Sequence, residues 1–254
     1  MCLIVFAIQA HPDYPFILAG NRDEFYDRPA ESAAFWNTQP KILAGKDAKA
    51  GGTWLGVSEK GRIAALTNFR DINSIKENAP SRGDIVKGIL TTTASVPQFF
   101  EQLMHNAHNY NGFNLLAGTP DEFYYYSSVK NSYRKLLPGV YSISNAHLES
   151  NWPKSDWAEE EFTKILNTDA RTNELFFDML KNSKTYPIGI LPKTGLPENM
   201  EVAVSAVFIK TENYGTRCST LIKRNSCGTT YFEERTYNPA DSSVSNQAIH
   251  TFSK

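Results

Sequence analysis

The sequence predicts an α+β fold built as a four-layer αββα sandwich, in which two mostly antiparallel sheets are flanked by helix pairs. Two observations predict this fold. The patterns along the chain follow the order strands, two helices, strands, two helices, strands, and two packed sheets with a helix pair outside each would bury all the apolar faces that this order creates. The predicted strands are mixed apolar rather than strictly alternating, as expected where one sheet packs on another.

A single domain is predicted for residues 1–237. The chain has 254 residues, of which 41% are hydrophobic and 12% aromatic, enough for one large core. No fixed repeat or long linker divides it, and the proline-containing stretch 184–199 is interpreted as a connection within the fold. Residues 238–254 are polar and without periodicity, which predicts a poorly ordered tail.

The composition excludes several classes of function. The 26 basic and 27 acidic residues give a net charge of -1, and no basic block indicates nucleic-acid binding. No run is long enough to span a membrane, and no secretory signal is recognisable. The three cysteines have no CxxC spacing, which argues against a disulfide framework or a structural zinc and favours a reducing, cytoplasmic location.

The first predicted strand begins at the start of the chain. Residues 2–8 form an apolar, β-branched run that is typical of a buried strand. Met1 precedes Cys2, a small residue, and such initiator methionines are commonly removed. Removal would give Cys2 a free α-amine beside its own thiol, so that one residue supplies both nucleophile and base. The alternative is that Cys2 is only a small buried hydrophobic residue.

A second predicted strand returns alongside the first. A turn at 11–15 separates them, and the strand at 16–20 leads into the tetrapeptide Asn21-Arg22-Asp23-Glu24. A hairpin of these two strands would place the four polar residues opposite Cys2. The alternative is a solvated loop, or a local arginine–aspartate ion pair that contributes little to stability.

A second hairpin and two helices follow. Two glycines enter the strand at 51–58, which pairs with 63–70; no phosphate-binding loop is predicted, because the lysine and following helix of that motif are missing. A capping box at 81–84 predicts the start of one helix, and Ser95-Val96-Pro97-Gln98 predicts the start of the next. His105 and His108 have no neighbouring third ligand, so no metal site is predicted.

The second half of the chain repeats this order of elements. Its predicted strands and helices are a strand meander over 112–118, 122–128 and 133–145, helices around Phe162 and Phe176, and strands at 202–210, 215–224 and 229–237 with a turn at 225–228. One of these strands ends at Asn145, and another carries Arg217.

Several separated motifs together resemble one known family. They are Met1-Cys2, Asn21-Arg22-Asp23-Glu24, Arg28-Pro29, Gly51-Gly52-Thr53-Trp54-Leu55-Gly56, Asn68-Phe69-Arg70, Ser81-Arg82-Gly83, Ser144-Asn145 and Tyr214-Gly215-Thr216-Arg217-Cys218-Ser219-Thr220. In this order, from residue 1 to about residue 234, they resemble the NRDE family, also called the transport and Golgi organisation family.

The resemblance implies an N-terminal-nucleophile (Ntn) hydrolase fold and a distant similarity to penicillin V acylases and choloylglycine hydrolases. Carried onto this sequence, it implies the following roles: Cys2 as nucleophile, Arg22 and Asp23 as the groups that hold its amine and thiolate, Asn68 and Asn145 as oxyanion donors, and Arg217 as the late-strand arginine. Physically, Arg22 and Arg217 would lower the thiol pKa.

Two questions about this set stay open at the level of sequence. Arg22 and Asp23 are adjacent, whereas those hydrolases separate the pair, and adjacent residues of a strand point to opposite faces. The spacing therefore leaves open whether both reach one site. The alternative to catalysis is a buried network of Arg22, Asp23 and Arg217 that closes the sandwich.

Two functions are consistent with these residues. The first is hydrolysis of an amide or thioester bond by acyl transfer to Cys2, which requires no cofactor. The second, implied by the resemblance alone, is a non-catalytic role in binding and trafficking haem or acyl-coenzyme A. The five histidines form no obvious axial pair for a haem. A small-molecule substrate or ligand is expected in either case, and the sequence sets no oligomeric state.

Overall fold

The computed structural model describes residues 2–170 and 172–253. The strands are β1 Cys2–Ile8, β2 Phe16–Phe25, β3 Ala30–Trp36, β4 Ile42–Asp47, β5 Leu55–Ser58, β6 Ile63–Asn68, β7 Phe113–Thr119, β8 Glu122–Ser127, β9 Ser132–Lys135, β10 Gly139–Ile143, β11 Tyr214–Arg224, β12 Thr229–Tyr237 and β13 Val244–Ser253. The helices are α1 Gly83–Thr91, α2 Val96–Asn106, α3 Pro153–Asp169, α4 Asn173–Leu180 and α5 Glu198–Ala203.

The strands form two sheets in which the described pairings are all antiparallel. One sheet has the order β10-β1-β2-β11-β12-β13, and the other runs from β3 to β9 in sequence order. We call them the six-stranded and the seven-stranded sheet. Helices α1 and α2 pack on the outer face of the seven-stranded sheet, and α3 and α4 on that of the six-stranded sheet. The predicted αββα sandwich is confirmed.

Strand β1 shows why the predicted strands did not alternate. Ile4, Phe6 and Ile8 face the core between the two sheets, while Leu3 and Val5 face the helices α3 and α4. All seven residues of β1 are buried. Since both faces of the strand are covered, both sets of side chains are apolar.

The first hairpin has the predicted register. Strand β1 pairs with β2, so that Cys2 lies directly opposite Arg22 and Leu3 opposite Asn21. The polar tetrapeptide therefore lies beside the start of β1, as the sequence predicts. Strand β2 in turn pairs with β11 on its other side, where Cys218 lies opposite Arg22.

The prediction of a poorly ordered tail at 238–254 is wrong for its larger part. Residues 244–253 form β13, which pairs with β12 at the edge of the six-stranded sheet. Phe252 packs against Phe35, with ring centroids 5.5 Å apart. The backbone hydrogen bonds to β12 order this segment, although its side chains are mostly polar and exposed.

Two other segments differ from the predicted strands. Residues 202–210 form the end of α5 and an irregular connection, because Pro197 and two glutamates in the first turn start a helix there. The single strand predicted at 133–145 is two strands, β9 and β10, in different sheets. Pro138 lies between them and interrupts the strand.

The helix starts were predicted with mixed success. The helix predicted to begin at Ser95-Val96-Pro97-Gln98 is α2, and Ser95 and Gln98 form a capping box at its start. The predicted capping box at 81–84 is wrong, because Arg82 is the N-cap of α1 and makes no side-chain cap, while the Ser81 hydroxyl accepts from the Gly83 N–H at 3.3 Å. Strands β3 and β4 were not predicted. Within the described residues, no helix is both long and apolar enough to cross a membrane.

Two glycines allow α1 to approach the seven-stranded sheet. A Cβ built on Gly52 would lie 2.5 Å from the backbone carbon of Gly83, and one built on Gly83 would lie 3.0 Å from the backbone nitrogen of Thr53. Real Cβ atoms essentially never show a distance of 2.5 Å, and a distance of 3.0 Å is tighter than nine in ten real Cβ contacts. The glycines in the two motifs therefore fix how closely the first turn of α1 lies against the strand connection at residue 52.

A methyl group at this contact should destabilise the protein. We expect Gly52→Ala to lower the free energy of unfolding by about 1–3 kcal/mol, because the added carbon overpacks two backbones that cannot move apart freely. Urea denaturation measures the change. Gly189→Ala is the matched control, since nothing lies within 4 Å of its Cβ position; equal stability of the two variants would contradict the close-approach argument.

Candidate active site

A cavity of about 600 Å³ opens where the polar strand ends meet. Its lining includes Cys2 and carries six basic and six acidic side chains, which are Arg22, Arg28, Lys46, Lys49, Arg82, Arg217 and Asp23, Glu24, Glu31, Asp47, Glu77, Glu234. Trp54 and Leu66 supply apolar surface. The cavity thus combines a thiol with many charges.

Cys2 belongs to a row of side chains that crosses three strands. Cys2, Arg22 and Cys218 lie directly opposite one another on β1, β2 and β11. Directly paired residues point to the same face of a sheet, and the even-numbered residues of β1 face the seven-stranded sheet. The two thiols are therefore two strand spacings apart, roughly 10 Å, too far for a disulfide.

The end of β10 holds the first residue of β1 in place. The Ser144 hydroxyl donates to the Cys2 carbonyl oxygen at 3.2 Å. Cys2 is 6% exposed, and the main chain of Asp23 lies close enough to its sulfur to lower the thiol pKa. The nucleophile candidate is thus anchored on both sides at the edge of the cavity.

The side chains of Arg22 and Asp23 point to opposite faces of the sheet, as adjacent residues of a strand do. Arg22 shares the inner face with Cys2, whereas Asp23 is directly paired with Thr216, whose hydroxyl donates to its carboxylate at 2.7 Å. A bulge at Arg217 lies between Thr216 and Cys218. Asp23 therefore reaches the Cys2 sulfur through its main chain, and its buried carboxylate lies behind the row.

The two asparagines occupy different positions. Asn68 lines the cavity at the end of β6, and its side-chain amide makes no hydrogen bond within residues 2–170 and 172–253. Asn145 is fully buried and is not part of the lining. Its amide donates to the backbone oxygen of Asn68 at 2.9 Å. Asn68 is thus placed to act on a bound molecule, and Asn145 to position Asn68.

Arg217 lines the cavity but has a structural contact as well. Its Nη1 donates to the backbone oxygens of Phe25, Tyr26 and Arg28, at 2.8, 3.1 and 3.0 Å. The guanidinium therefore holds the turn after β2.

Five of the six predicted residues line the cavity, and Asn145 lies behind it.

The pKa of the Cys2 thiol differs from the expectation. Burial raises it, and the charge of Arg22 opposes the increase without outweighing it. Arg22 thus acts in the expected direction, but burial outweighs it, so the pKa of the thiol lies above its ordinary value with Met1 in place. The expected effect of Arg217 stays a prediction. Burial also raises the pKa of Asp23, against the effects of Lys154 and Thr216. A buried thiol of this kind needs a base to become a nucleophile.

Sequence reasoning missed Lys154, a lysine in the first turn of α3. Its side chain is 2% exposed, and its Nζ donates to the Val204 backbone oxygen at 3.0 Å. Burial lowers its pKa to about 8, although the charges of Asp23 and Cys2 act in the other direction. The sequence gives no signal for it, because a lysine one residue after a helix-starting proline is ordinarily exposed.

Sequence reasoning also left Arg28, Asp47 and Arg82 out of the site. The Arg28 Nε donates to the Asp47 carboxylate at 2.7 Å, and Arg82 lines the cavity from the start of α1. Arg28 and Arg82 both lie in motifs that carried the family resemblance, so a signal existed. Among the described residues, no group of three or more histidine, cysteine or acidic side chains could hold a metal ion.

The fold and cavity define a class of protein, the Ntn-hydrolase-like αββα sandwiches. An arginine-to-leucine variant of conjugated bile acid hydrolase from Clostridium perfringens is similar to this chain with a TM-score of 0.52, covering 99% of this chain and 97% of that one. The sequence identity is 11%, so the similarity shows the fold alone.

The family model described as Transport and Golgi organisation 2 matches residues 1–239, and the chain belongs to this family. It is 33% identical to the transport and Golgi organization protein 2 homolog of Bos taurus over 99% of each chain. Its identity to the homolog of Homo sapiens is 34%, over 92% of each chain. The family predicted from the sequence motifs is confirmed.

The buried ammonium of Lys154 should appear in the pH dependence of stability. Its pKa falls from 10.5 to about 8 on folding, so the folded state binds fewer protons than the unfolded state between these pH values. The free energy of unfolding contributed by Lys154 therefore rises with pH across this window. We expect the difference in stability between the wild type and Lys154→Met to rise from pH 8 to 10.5 in urea titrations.

The control for this titration is Lys60→Met, which removes an exposed ammonium in the turn between β5 and β6. The Lys154→Met difference from the wild type should rise more steeply with pH than the difference for this control. Equal slopes for the two variants would contradict a lowered pKa of Lys154 in the folded protein.

Proposed function

We propose that the protein is a cysteine hydrolase that cleaves an amide or thioester bond by acyl transfer to Cys2, after removal of Met1. The observation that carries the proposal is the position of the thiol. Cys2 lies at the edge of a charged cavity, opposite Arg22, with the main chain of Asp23 close to its sulfur. A thiol with this surrounding is arranged for chemistry rather than for packing alone.

The free α-amine would supply the base that the buried thiol needs. An α-amine titrates near ~8 and a free thiol near ~8.5, so proton transfer between them requires little free energy at neutral pH. The amine takes the thiol proton as the sulfur attacks the carbonyl carbon, and it returns the proton to the leaving amine or thiolate. Water then cleaves the thioester on Cys2, releases the acid and restores the thiol.

The other residues would act on charge that develops in this reaction. The Asn68 amide is available in the cavity and would donate to the oxyanion, a contribution of roughly 3 kcal/mol for one good donor. Arg22, on the same face as Cys2, would stabilise the thiolate. The carboxylate of Asp23 would accept from the new α-ammonium. Asn145 and Arg217 would fix the positions of Asn68 and of the turn after β2.

Ligand binding without chemistry is the second candidate function. The lining holds as many acidic as basic side chains, so an anionic ligand such as acyl-coenzyme A would bind through individual arginines, which pair with phosphates. A haem is the other ligand named by the resemblance. No histidine lines the cavity among the described residues, so Cys2 or Cys218 would have to be its ligand.

Replacement of the nucleophile should separate these functions. We expect Cys2→Ala to abolish turnover of any aromatic amide or acyl thioester that the wild type cleaves, by at least about 10³-fold, because no other group can form the acyl-enzyme. The matched control is Cys227→Ala, which removes an exposed thiol in the β11–β12 turn and should leave turnover unchanged. Undiminished turnover in the Cys2→Ala protein would refute the hydrolase.

The intact mass of the protein shows whether Met1 has been removed and the α-amine of Cys2 is free. We expect the protein purified from its own host to lack Met1. We also expect a variant with leucine inserted between Met1 and Cys2 to keep its methionine and lose turnover, since the bulky residue blocks removal. Full turnover of the inserted variant would show that the reaction does not use the α-amine.

A further inference from the structure

Arg82 enters the cavity because the first turn of α1 lies against Gly52. It is the N-cap residue of this helix and lines the cavity together with Cys2. Its Nη1 donates to the Gly112 backbone oxygen at 2.9 Å. Its Nε and Nη2 make no hydrogen bond within the described residues. The guanidinium is thus fixed at one nitrogen and offers its other donors to the cavity.

The chemistry around Arg82 points to Cys2. Burial lowers the pKa of the Arg82 guanidinium, and the Cys2 sulfur is the foremost neighbouring group that opposes this decrease. Arginine nonetheless stays protonated in proteins. A permanent positive charge therefore lines the same cavity as the Cys2 thiol.

Arg22 offers a second set of donors beside the same thiol. Its Nη1 is buried and has no hydrogen-bond partner within residues 2–170 and 172–253. Its Nη2 lies 3.8 Å from the carboxylates of Glu24 and of Asp47, too far for hydrogen bonds. Asp47 instead accepts from Arg28 at 2.7 Å. Arg22 therefore forms ion pairs with these two carboxylates but no hydrogen bond to either, and its donors stay available.

The other cations of the lining are held elsewhere. Arg217 donates to three backbone oxygens, and Lys46 is paired with Glu31 at 3.4 Å. Lys49 is exposed at the rim. Arg22 and Arg82, both partly buried, thus keep donors that are available to a ligand. The Arg217 Nε also has no hydrogen-bond partner within the described residues, but three bonds from its Nη1 fix that guanidinium to the turn after β2.

We propose that Arg82, with Arg22, binds a carboxylate of the substrate adjacent to the carbonyl that Cys2 attacks. This proposal rests on the proposed hydrolase activity, because that activity places the carbonyl next to Cys2. The planar forks of two guanidinium groups match a carboxylate. The substrates would be amides or thioesters with a carboxylate close to the scissile bond, such as monoamides of dicarboxylic acids or N-acyl amino acids. Arg82 is then the residue that sets specificity.

Alkylation of Cys2 by a charged reagent and its neutral counterpart tests this directly. The same thiolate attacks the CH2 carbon of iodoacetate or iodoacetamide and displaces iodide, so the ratio of the two rates cancels the thiol pKa and reports on the carboxylate. Peptide mass spectrometry gives the ratio for each cysteine. We expect the iodoacetate-to-iodoacetamide ratio at Cys2 to exceed that at the exposed Cys227 of the same molecules by roughly ten-fold or more.

Three variants assign the effect to Arg82. Arg82→Gln should reduce the Cys2 ratio to that of Cys227, and Arg82→Lys should retain part of it, since charge remains without the fork. Lys46→Met is the matched control, because it removes a cation of the same cavity that is 40% exposed and paired with Glu31; its ratio should not change. Equal ratios at Cys2 and Cys227, or a ratio unchanged in Arg82→Gln, would overturn the carboxylate site.

A second measurement separates this proposal from the hydrolase. If Cys2 reacts with neither reagent, the nucleophile is refuted, and calorimetry of the Cys2→Ser protein with succinate and with its neutral diamide decides about Arg82. Binding of succinate alone, lost in the Cys2→Ser, Arg82→Gln double variant, would support the carboxylate site without the hydrolase. Absence of succinate binding, or equal binding of the diamide, would refute the carboxylate site.

Discussion

The pairing of β1 with β2 is the interaction on which the rest of the site depends. It places Cys2 opposite Arg22 and directs both side chains toward the seven-stranded sheet. Strand β1 can hold this position because both of its faces are buried, one against each core. A chain start is usually mobile, but here fraying would expose apolar side chains on both faces. The burial that stabilises the sandwich therefore also orders the thiol.

A buried ion pair and a chain of hydrogen bonds lie behind the cavity and hold Asn68 in place. Behind Asn68, the Asn145 carbonyl accepts from the backbone N–H of Arg70 at 2.7 Å. The Arg70 guanidinium lies 3.2 Å from the Glu201 carboxylate, and both side chains are almost fully buried. Buried ions are costly unless paired. Each conformation that separates this pair is therefore disfavoured, and the backbone of Asn68, which accepts from the Asn145 amide, keeps its position at the cavity.

The sequence predicted the fold well where patterns were local. The β1–β2 hairpin and the helix start at Ser95 follow from short-range signals, and the structure has both. The missed features depend on distant partners. Strand β13 is polar and is ordered by β12, and residues 132–143 divide between two sheets at a proline. The burial of Lys154 follows from the packing of α3, which no local pattern of side chains records.

By itself, the sequence determined the order of the elements, the family and the residue types of the site, because periodicity, turns and motifs are written locally in the chain. Only the tertiary structure decided which of these residues share a surface. It separated Asn68, which lines the cavity, from Asn145, which supports it, and it brought Arg82 into the cavity that Cys2 lines. The physical reason is that side-chain exposure and charge depend on what packs opposite, and the opposing residues lie far away in sequence.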